Sequence, residues 1–318
     1  MSLGTEYAAI IRANRRVQLA HLDGAAREVE RIYSHAAERL REEIRTVTRG
    51  IAGDRYRRDI LAIVERELEL FRAEYKSLLD AGIVEAGRLA ADRENALLDR
   101  LLAERGVLPP DQSLGAMEAA GRASVEFGSV PRRVLERAYV RTYRDGRDLY
   151  ERLYKINADN YELIRNTVMD AIARGQGPAA LAKDVKSILV GEGMKGARQK
   201  AITLARTEIN SAYREAHVAS VTDAEGNLKS YVSAIGWRLS RTHPRIDICD
   251  AWAGDDTGLG PGNYLPENVP AGHARCLCAT LTLLAAYPDL QFAQHPAHPD
   301  DVPEGQRIYY GAETPAKA

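Results

Sequence analysis

The chain has 318 residues, 45% of them hydrophobic and 28% charged, which is long enough for two domains and too apolar for wholesale disorder. Lysine and arginine number 44 against 45 aspartates and glutamates, so no global field draws the chain to nucleic acid or to an anionic membrane, and either contact would need a local patch. The opening MSLGTEYAAIIRANRR lacks the apolar core of a signal peptide, and no run approaches the ~18 apolar residues of a membrane span; a cytosolic product without membrane partners is expected.

Proline divides the chain. None precedes Pro109, whereas nine of the thirteen fall at or after Pro244, so long helices are permitted early and forbidden late. Val29, Tyr33, Ala36, Leu40, Ile44 and Val47 step by three or four, the stripe of an amphipathic helix. Ile60, Val64, Leu68, Phe71, Tyr75 and Leu78 repeat it, with a break around Gly53 and Asp54 as a candidate N-cap. After a second break at 106–113 and a short helical piece, Ser129 or Val130 opens a third long helix with Pro131 in its first turn. Leu135, Tyr139, Leu149, Leu153, Ile156, Leu163 and Val168 carry that helix as far as Gly175. Shorter helices follow at 179–189 and about 195–221.

The pattern changes after Gly226. Residues 229–240 alternate Tyr231, Ser233, Ile235, Trp237 and Leu239 with a period of two, a strand with Gly236 as a candidate bulge. Residues 274–284 form a second β-like run. The intervening loop of about thirty residues holds Gly254, Gly258, Gly260, Gly262 and Gly272, and loops of that length usually serve a function or are tied down. The last thirty residues read as a proline-rich arm. The expectation is an α+β protein: an elongated, mostly helical N-terminal part, then a small β-containing C-terminal domain. Its divisions are a helical region at 1–128, a domain at 129–285 that is helical to about 226 with a β-containing part at 229–285, and a tail at 286–318.

Chemistry concentrates in the second half. The three cysteines, Cys249, Cys276 and Cys278, lie within thirty residues of one another, which in a reducing compartment favours a metal site or buried thiols over a disulfide framework. If 274–284 is a strand, Cys276 and Cys278 share a face. With Cys249 from the loop and His273 upstream, the set Cys249, His273, Cys276 and Cys278 suits a closed, structural zinc site with no position for a substrate water. Ordinary thiols in an apolar core are the competing reading, since C-x-C is not the usual zinc half-site. Before this lies LARTEINSAYREAH, a helical segment with Ile209, Ala212 and Ala216 on one face. Arg206, Asn210, Tyr213 and His217 lie on a neighbouring face, and Glu208, Ser211 and Glu215 on another. A polar face packed against the β piece accounts for these residues without catalysis.

The helix ARTEINSAYREA, the strand Trp237, Asp247-Ile248-Cys249, the glycine-rich loop and His273-x-x-Cys276-x-Cys278, in that order, resemble the Mu F-like head-morphogenesis domain of bacteriophage minor head proteins. The resemblance covers roughly 130–285, with Arg206, Glu208, Trp237 and Asp247 as signature positions. It implies a virion component assembled in the host cytoplasm, associated with the portal protein or the major capsid protein at or near the portal vertex, and not an enzyme. Family members often carry C-x-x-C where this chain has Cys249-Asp250-Ala251-Trp252, so Trp252 would put apolar packing in place of one ligand.

Other classes find less support. There is no H-E-x-x-H, phosphate-binding loop or G-x-S-x-G element, and Asp255 and Asp256 read as a turn rather than as bases for a zinc hydrolase. ADP-ribosyl transfer from Arg206, Ser233 or Ser240 and a glutamate rests on loose spacing. For DNA, residues 131–152 hold seven arginines against four acids, with Arg133, Arg137, Arg141 and Arg144 on one stripe and Tyr139, Tyr143, Tyr150 and Tyr154 beside it. Tyrosines at helical spacing more often pack in a core, and nearby acids can neutralise the arginines.

Overall fold

A computed structural model describes residues 3–47, 53–105, 130–142, 146–191, 195–222, 232–240, 246–273 and 276–284. The chain is α+β. Among the described residues the helices α1 (Leu3–Thr46), α2 (Gly53–Arg105), α3 (Val130–Val140), α4 (Leu149–Ala173), α5 (Pro178–Val190) and α6 (Lys195–Thr222) come first. They are followed by β1 (Val232–Arg238), α7 (Ile248–Gly254), β2 (Asn263–Tyr264), a single 3-10 turn (Pro266–Asn268) and β3 (Ala279–Leu284). The sheet is antiparallel in the order β2-β1-β3. Among the described residues no helix is long and apolar enough to cross a membrane.

The chain divides into two compact units that interleave along the sequence. One comprises Met1–Leu22, Gly82–Asp145 and Thr207–Ala318, the other Asp23–Ala81 and Gly146–Arg206. The serial division expected from sequence puts its boundaries at 128/129 and 285/286, both outside the described residues, as are the piece at 113–128 and the tail.

The second unit is helical, and its core is the stripe set by periodicity. Val29, Tyr33, Ala36, Leu40 and Ile44 of α1 are buried, as are Ile60, Val64, Leu68, Phe71 and Tyr75 of α2. Val47 and Leu78, at the ends of the two stripes, are only half-buried. Tyr33 meets Phe71 edge-on at 4.7 Å, a favoured aromatic geometry. The buried phenol of Tyr75 donates to the carbonyl of Ala201 at 2.6 Å, so its polar end is satisfied.

The third long helix expected from sequence is two. α3 stops at Val140 and α4 starts at Leu149, because Asp148 caps the new helix. Its carboxylate accepts from the Glu151 amide at 2.8 Å while the Glu151 side chain accepts from the Asp148 amide at 3.0 Å. Just before it, Gly146 adopts φ +73°, a left-handed conformation that ordinary residues avoid.

The first unit contains α6 from Thr207 onward. From Thr207 to Val221 this helix is buried on almost every side, which is the mark of a central helix rather than a surface one. Close packing depends on glycine at two places in α2. A Cβ at Gly82 would lie 2.6 Å from Ile209, and one at Gly87 would lie 2.9 Å from the Pro131 backbone.

The β part departs from expectation in three ways. Residues 276–278 precede β3 instead of forming part of it. The irregularity in β1 falls between Val232 and Ala234, not at Gly236. Gly236 serves another purpose: a Cβ there would sit 2.7 Å from the Arg238 guanidinium, which bonds the carbonyl of Trp237 and the side chain of Asn263. Burial does not alternate along β1 either, since every residue from Ala234 to Arg238 is buried. The long loop contains a helix, α7, capped by Asp247 through a box with Asp250. Asp255-Asp256-Thr257-Gly258 is the expected turn, with Asp256 Oδ1 accepting from the amides of Gly258 and Gly260.

Candidate metal centre

The three cysteines come from two places, and both are fixed locally. Cys249 opens α7, where the Asp247 carboxylate accepts from its amide at 2.7 Å. Cys276 and Cys278 sit on the approach to β3, in a turn where the Cys276 amide donates to the His273 carbonyl at 3.1 Å. Sharing a strand face is therefore not what brings the two sulfurs together; the turn does so. All three thiols are buried and unoxidised.

The ligand-type atoms converge. Cys249 Sγ lies 3.5 Å from Cys276 Sγ and 3.0 Å from His273 Nε2. Asp247 Oδ2 lies 3.3 Å from the same Nε2. Two overlapping groups result, Cys249 with Cys276 and Cys278, and Asp247 with Cys249 and His273, each with its atoms within 4.8 Å of one another. The cluster could hold a metal ion. A tetrahedral zinc with sulfurs at about 2.3 Å would keep them roughly 3.8 Å apart, so the Cys249–Cys276 separation needs little adjustment. Asp247 joins the predicted ligands as a further donor. Its D-x-C position suggests only a cap, and the role of the second carboxylate oxygen comes from folding.

A Cys–His–Asp catalytic relay does not fit this geometry. A relay needs the thiol and the carboxylate on different ring nitrogens, whereas here both approach Nε2. One nitrogen facing a sulfur and a carboxylate oxygen is the disposition of ligands around a common point.

The thiols differ in how strongly their surroundings favour the charged form. Hydrogen bonds from Cys249 and Cys278 hold the Cys276 thiol well below the ordinary thiol range, with Arg214 adding its charge. Burial pushes the Cys249 thiol up, and its hydrogen bond to Cys276 pushes it further.

Apolar packing closes the site. Trp237 is fully buried and meets Trp252 edge-on at 5.0 Å, and Trp252 lies 6.3 Å from His273. The position where the resembled family often has a second cysteine thus contributes an aromatic wall, while the three sulfurs meet one another and the imidazole meets Cys249.

The polar face of α6 holds this region down. Asn210 Nδ2 donates to the Cys276 carbonyl at 2.7 Å, and Asn210 Oδ1 accepts from Gln18 at 2.6 Å. Buried His217 bridges β3, with Nδ1 2.7 Å from Thr280 Oγ1 and Nε2 2.8 Å from Thr282 Oγ1. Tyr213 Oη lies 3.1 Å from His21 Nδ1. Arg214, absent from the residues singled out in the sequence, places Nη1 3.7 Å from Cys276 Sγ. Its spacing from Ser211 and from Asn210 marks it as inward-facing, but its target lies far along the chain.

Glu208 and Glu215 face Arg141. Arg141 Nη1 lies 3.3 Å from Glu208 Oε2, and Nη2 pairs with Glu215. Burial pushes fully enclosed Glu208 up to about 7 against the pull of Arg141, and raises Glu215 as well. Arg141 is thereby committed to two carboxylates, which takes one member out of the expected DNA-contact stripe. Arg137 is exposed, Arg133 half-buried, and Arg144 and Tyr143 lie outside the described residues. Tyr150 and Tyr154 are 54% and 59% exposed, contrary to the expected core packing. Of the residues considered for ADP-ribosyl transfer, Arg206 pairs with Asp23 at 2.6 Å and Ser233 donates to the Leu283 carbonyl.

No protein-family model, curated protein or solved structure matches the chain.

Proposed function

We propose that the chain is a structural assembly protein, a minor head protein of the Mu F-like head-morphogenesis kind acting at or near the portal vertex, and that its Cys/His cluster binds one structural zinc. The observation that carries this reading is the use made of α6. Asn210, Arg214 and His217 spend their hydrogen-bonding groups on the Cys276 turn and on β3, and Glu208 and Glu215 spend theirs on Arg141. Side chains committed in this way serve the fold, which supports a structural role for this helix.

Zinc suits the donor set. Cys249, Cys276 and Cys278 would supply three thiolates, and His273 or Asp247 the remaining donor. The metal would then act as a staple, linking α7 to the turn before β3 in a region where only short strands are available. Zinc bound there would stabilise the fold and deprotonate the thiols, while Asp247 and Asn210 fix the backbone that carries Cys249 and Cys276.

The assembly role is tested by co-expressing the chain with candidate portal and major capsid proteins from its own genome, followed by size-exclusion chromatography and mass determination. A defined complex supports the reading. Failure to associate with either portal or major capsid protein would overturn it, and salt-sensitive binding to duplex DNA in the same preparation would favour a packaging accessory instead.

A further inference from the structure

We propose that Arg214 is the counter-ion of the thiolate centre, a positioning residue that makes a net-negative metal site tolerable in the interior. The proposal rests on the metal reading above. Arg214 is only 3% exposed, and a guanidinium in such a place needs an anion. Among the described residues no carboxylate lies within 4 Å of it. Glu208 and Glu215 feel it only at longer range and are held by Arg141. Its neighbours are Ser211 Oγ, 3.3 Å from Nη2, the Trp237 ring, 5.7 Å from the guanidinium carbon, and Cys276 Sγ, 3.7 Å from Nη1. Its Nε has no hydrogen-bond partner. The sulfur is the one group among these neighbours able to carry a full negative charge.

Bound metal makes the requirement sharper. Three thiolates around a dipositive zinc leave one net negative charge, and coordination deprotonates each thiol outright. If the three cysteines were neutral core thiols, Arg214 would be a buried cation with no anionic partner in direct contact among the described residues. The pocket for the guanidinium is built to shape: Gly272 has φ +85°, and a Cβ there would lie 2.3 Å from Nη2. Arg214 thus ties the charge of the centre to the central helix of its unit.

The test uses the full chain loaded with Zn(II) and competed against a chromophoric chelator, with Co(II) substitution to read the ligands and circular dichroism to read the fold. Arg214→Met is expected to weaken zinc about 10- to 100-fold while its Co(II) form keeps the thiolate charge-transfer bands, the size typical of losing an outer partner of a metal site. Arg214→Lys, which retains the charge, is expected to stay within about threefold of the parent, and Arg165→Met, a half-buried arginine on α4 in the other unit, within about twofold. A methionine variant that binds zinc as tightly as the parent overturns the proposal. So does a folded lysine variant as weak as the methionine one, since shape rather than charge would then be responsible. Should Arg214→Met lose its helical signal, the lysine variant decides: retained affinity supports the proposal, and a loss of about tenfold or more overturns it. A parent chain that takes up no zinc removes the metal reading and this proposal with it, an outcome distinct from a zinc-binding parent indifferent to Arg214.

Discussion

Asn210 sits between Gln18 and Cys276, accepting from one side chain at 2.6 Å and donating to the carbonyl of the other at 2.7 Å. This short relay ties the first helix and the central helix to the turn that presents two sulfurs. Both bonds are buried, so neither partner can turn to water when the amide is removed. Asn210→Ala should therefore lower unfolding stability by about 2–4 kcal/mol, since each stranded buried partner costs about 1–3 kcal/mol. Urea denaturation followed by circular dichroism measures it, and a change below about 0.5 kcal/mol would mean that water replaces the amide.

His217 is the matching fastener on the other side of the turn, with both ring nitrogens bonded to hydroxyls of β3. His217→Leu fills similar space but removes the imidazole bonds to the Thr280 and Thr282 hydroxyls, and should cost about 2–4 kcal/mol. The triple variant with Thr280→Val and Thr282→Val should recover a good part of that loss, because replacing all partners by apolar groups removes the unsatisfied ones. Absence of recovery in the same denaturation assay would show that the histidine acts through shape.

Gly272 adopts φ +85° beneath the Arg214 guanidinium. Gly272→Ala should destabilise the chain by more than the roughly 1–2 kcal/mol of a left-handed alanine, because the new methyl also displaces a buried cation. A melting temperature within one standard error of the parent would count against this placement.

Glu208 is fully buried beside Arg141 and Glu215, and its carboxyl is raised to about 7 by burial. The folded chain therefore holds a proton that the unfolded chain releases near the usual glutamate value, so this group's contribution is present at pH 4.5 and is lost as pH rises through 7. Raising the pH from 5 to 8 should cost on the order of 2–3 kcal/mol at this site. Glu208→Gln should flatten that part of the stability profile. A variant with the same pH slope as the parent would assign the slope to other groups.

The helical half was legible because its stripes, such as Val29 to Ile44 and Ile60 to Tyr75, follow the helix period and need no knowledge of a partner. The interruption after Val140 was hidden by apolar spacing that continues across it, although Gly146 and the Asp148 capping box were there to be read. Similarly, α7 spans seven residues, too few for periodicity to register, and its signal was Asp247 three residues before Asp250. The ligand set could be listed from residue type and neighbourhood. Its geometry could not, since a turn and not a strand brings Cys276 and Cys278 together. Arg214, Gln18 and Arg141 were illegible for one reason: each finds its target 60 or more residues away, and no local pattern records such a pairing. The tyrosines at 150 and 154 show the converse, with helical spacing that suggests burial on side chains left exposed.

The most direct test of the proposed zinc site is the metal content of the purified full chain, by native mass spectrometry and elemental analysis in reducing buffer. One zinc per chain is expected, lost together with thermal stability in Cys276→Ser and on exhaustive chelation. A metal-free chain that melts at the same temperature with or without added zinc, and in the serine variant, would contradict it.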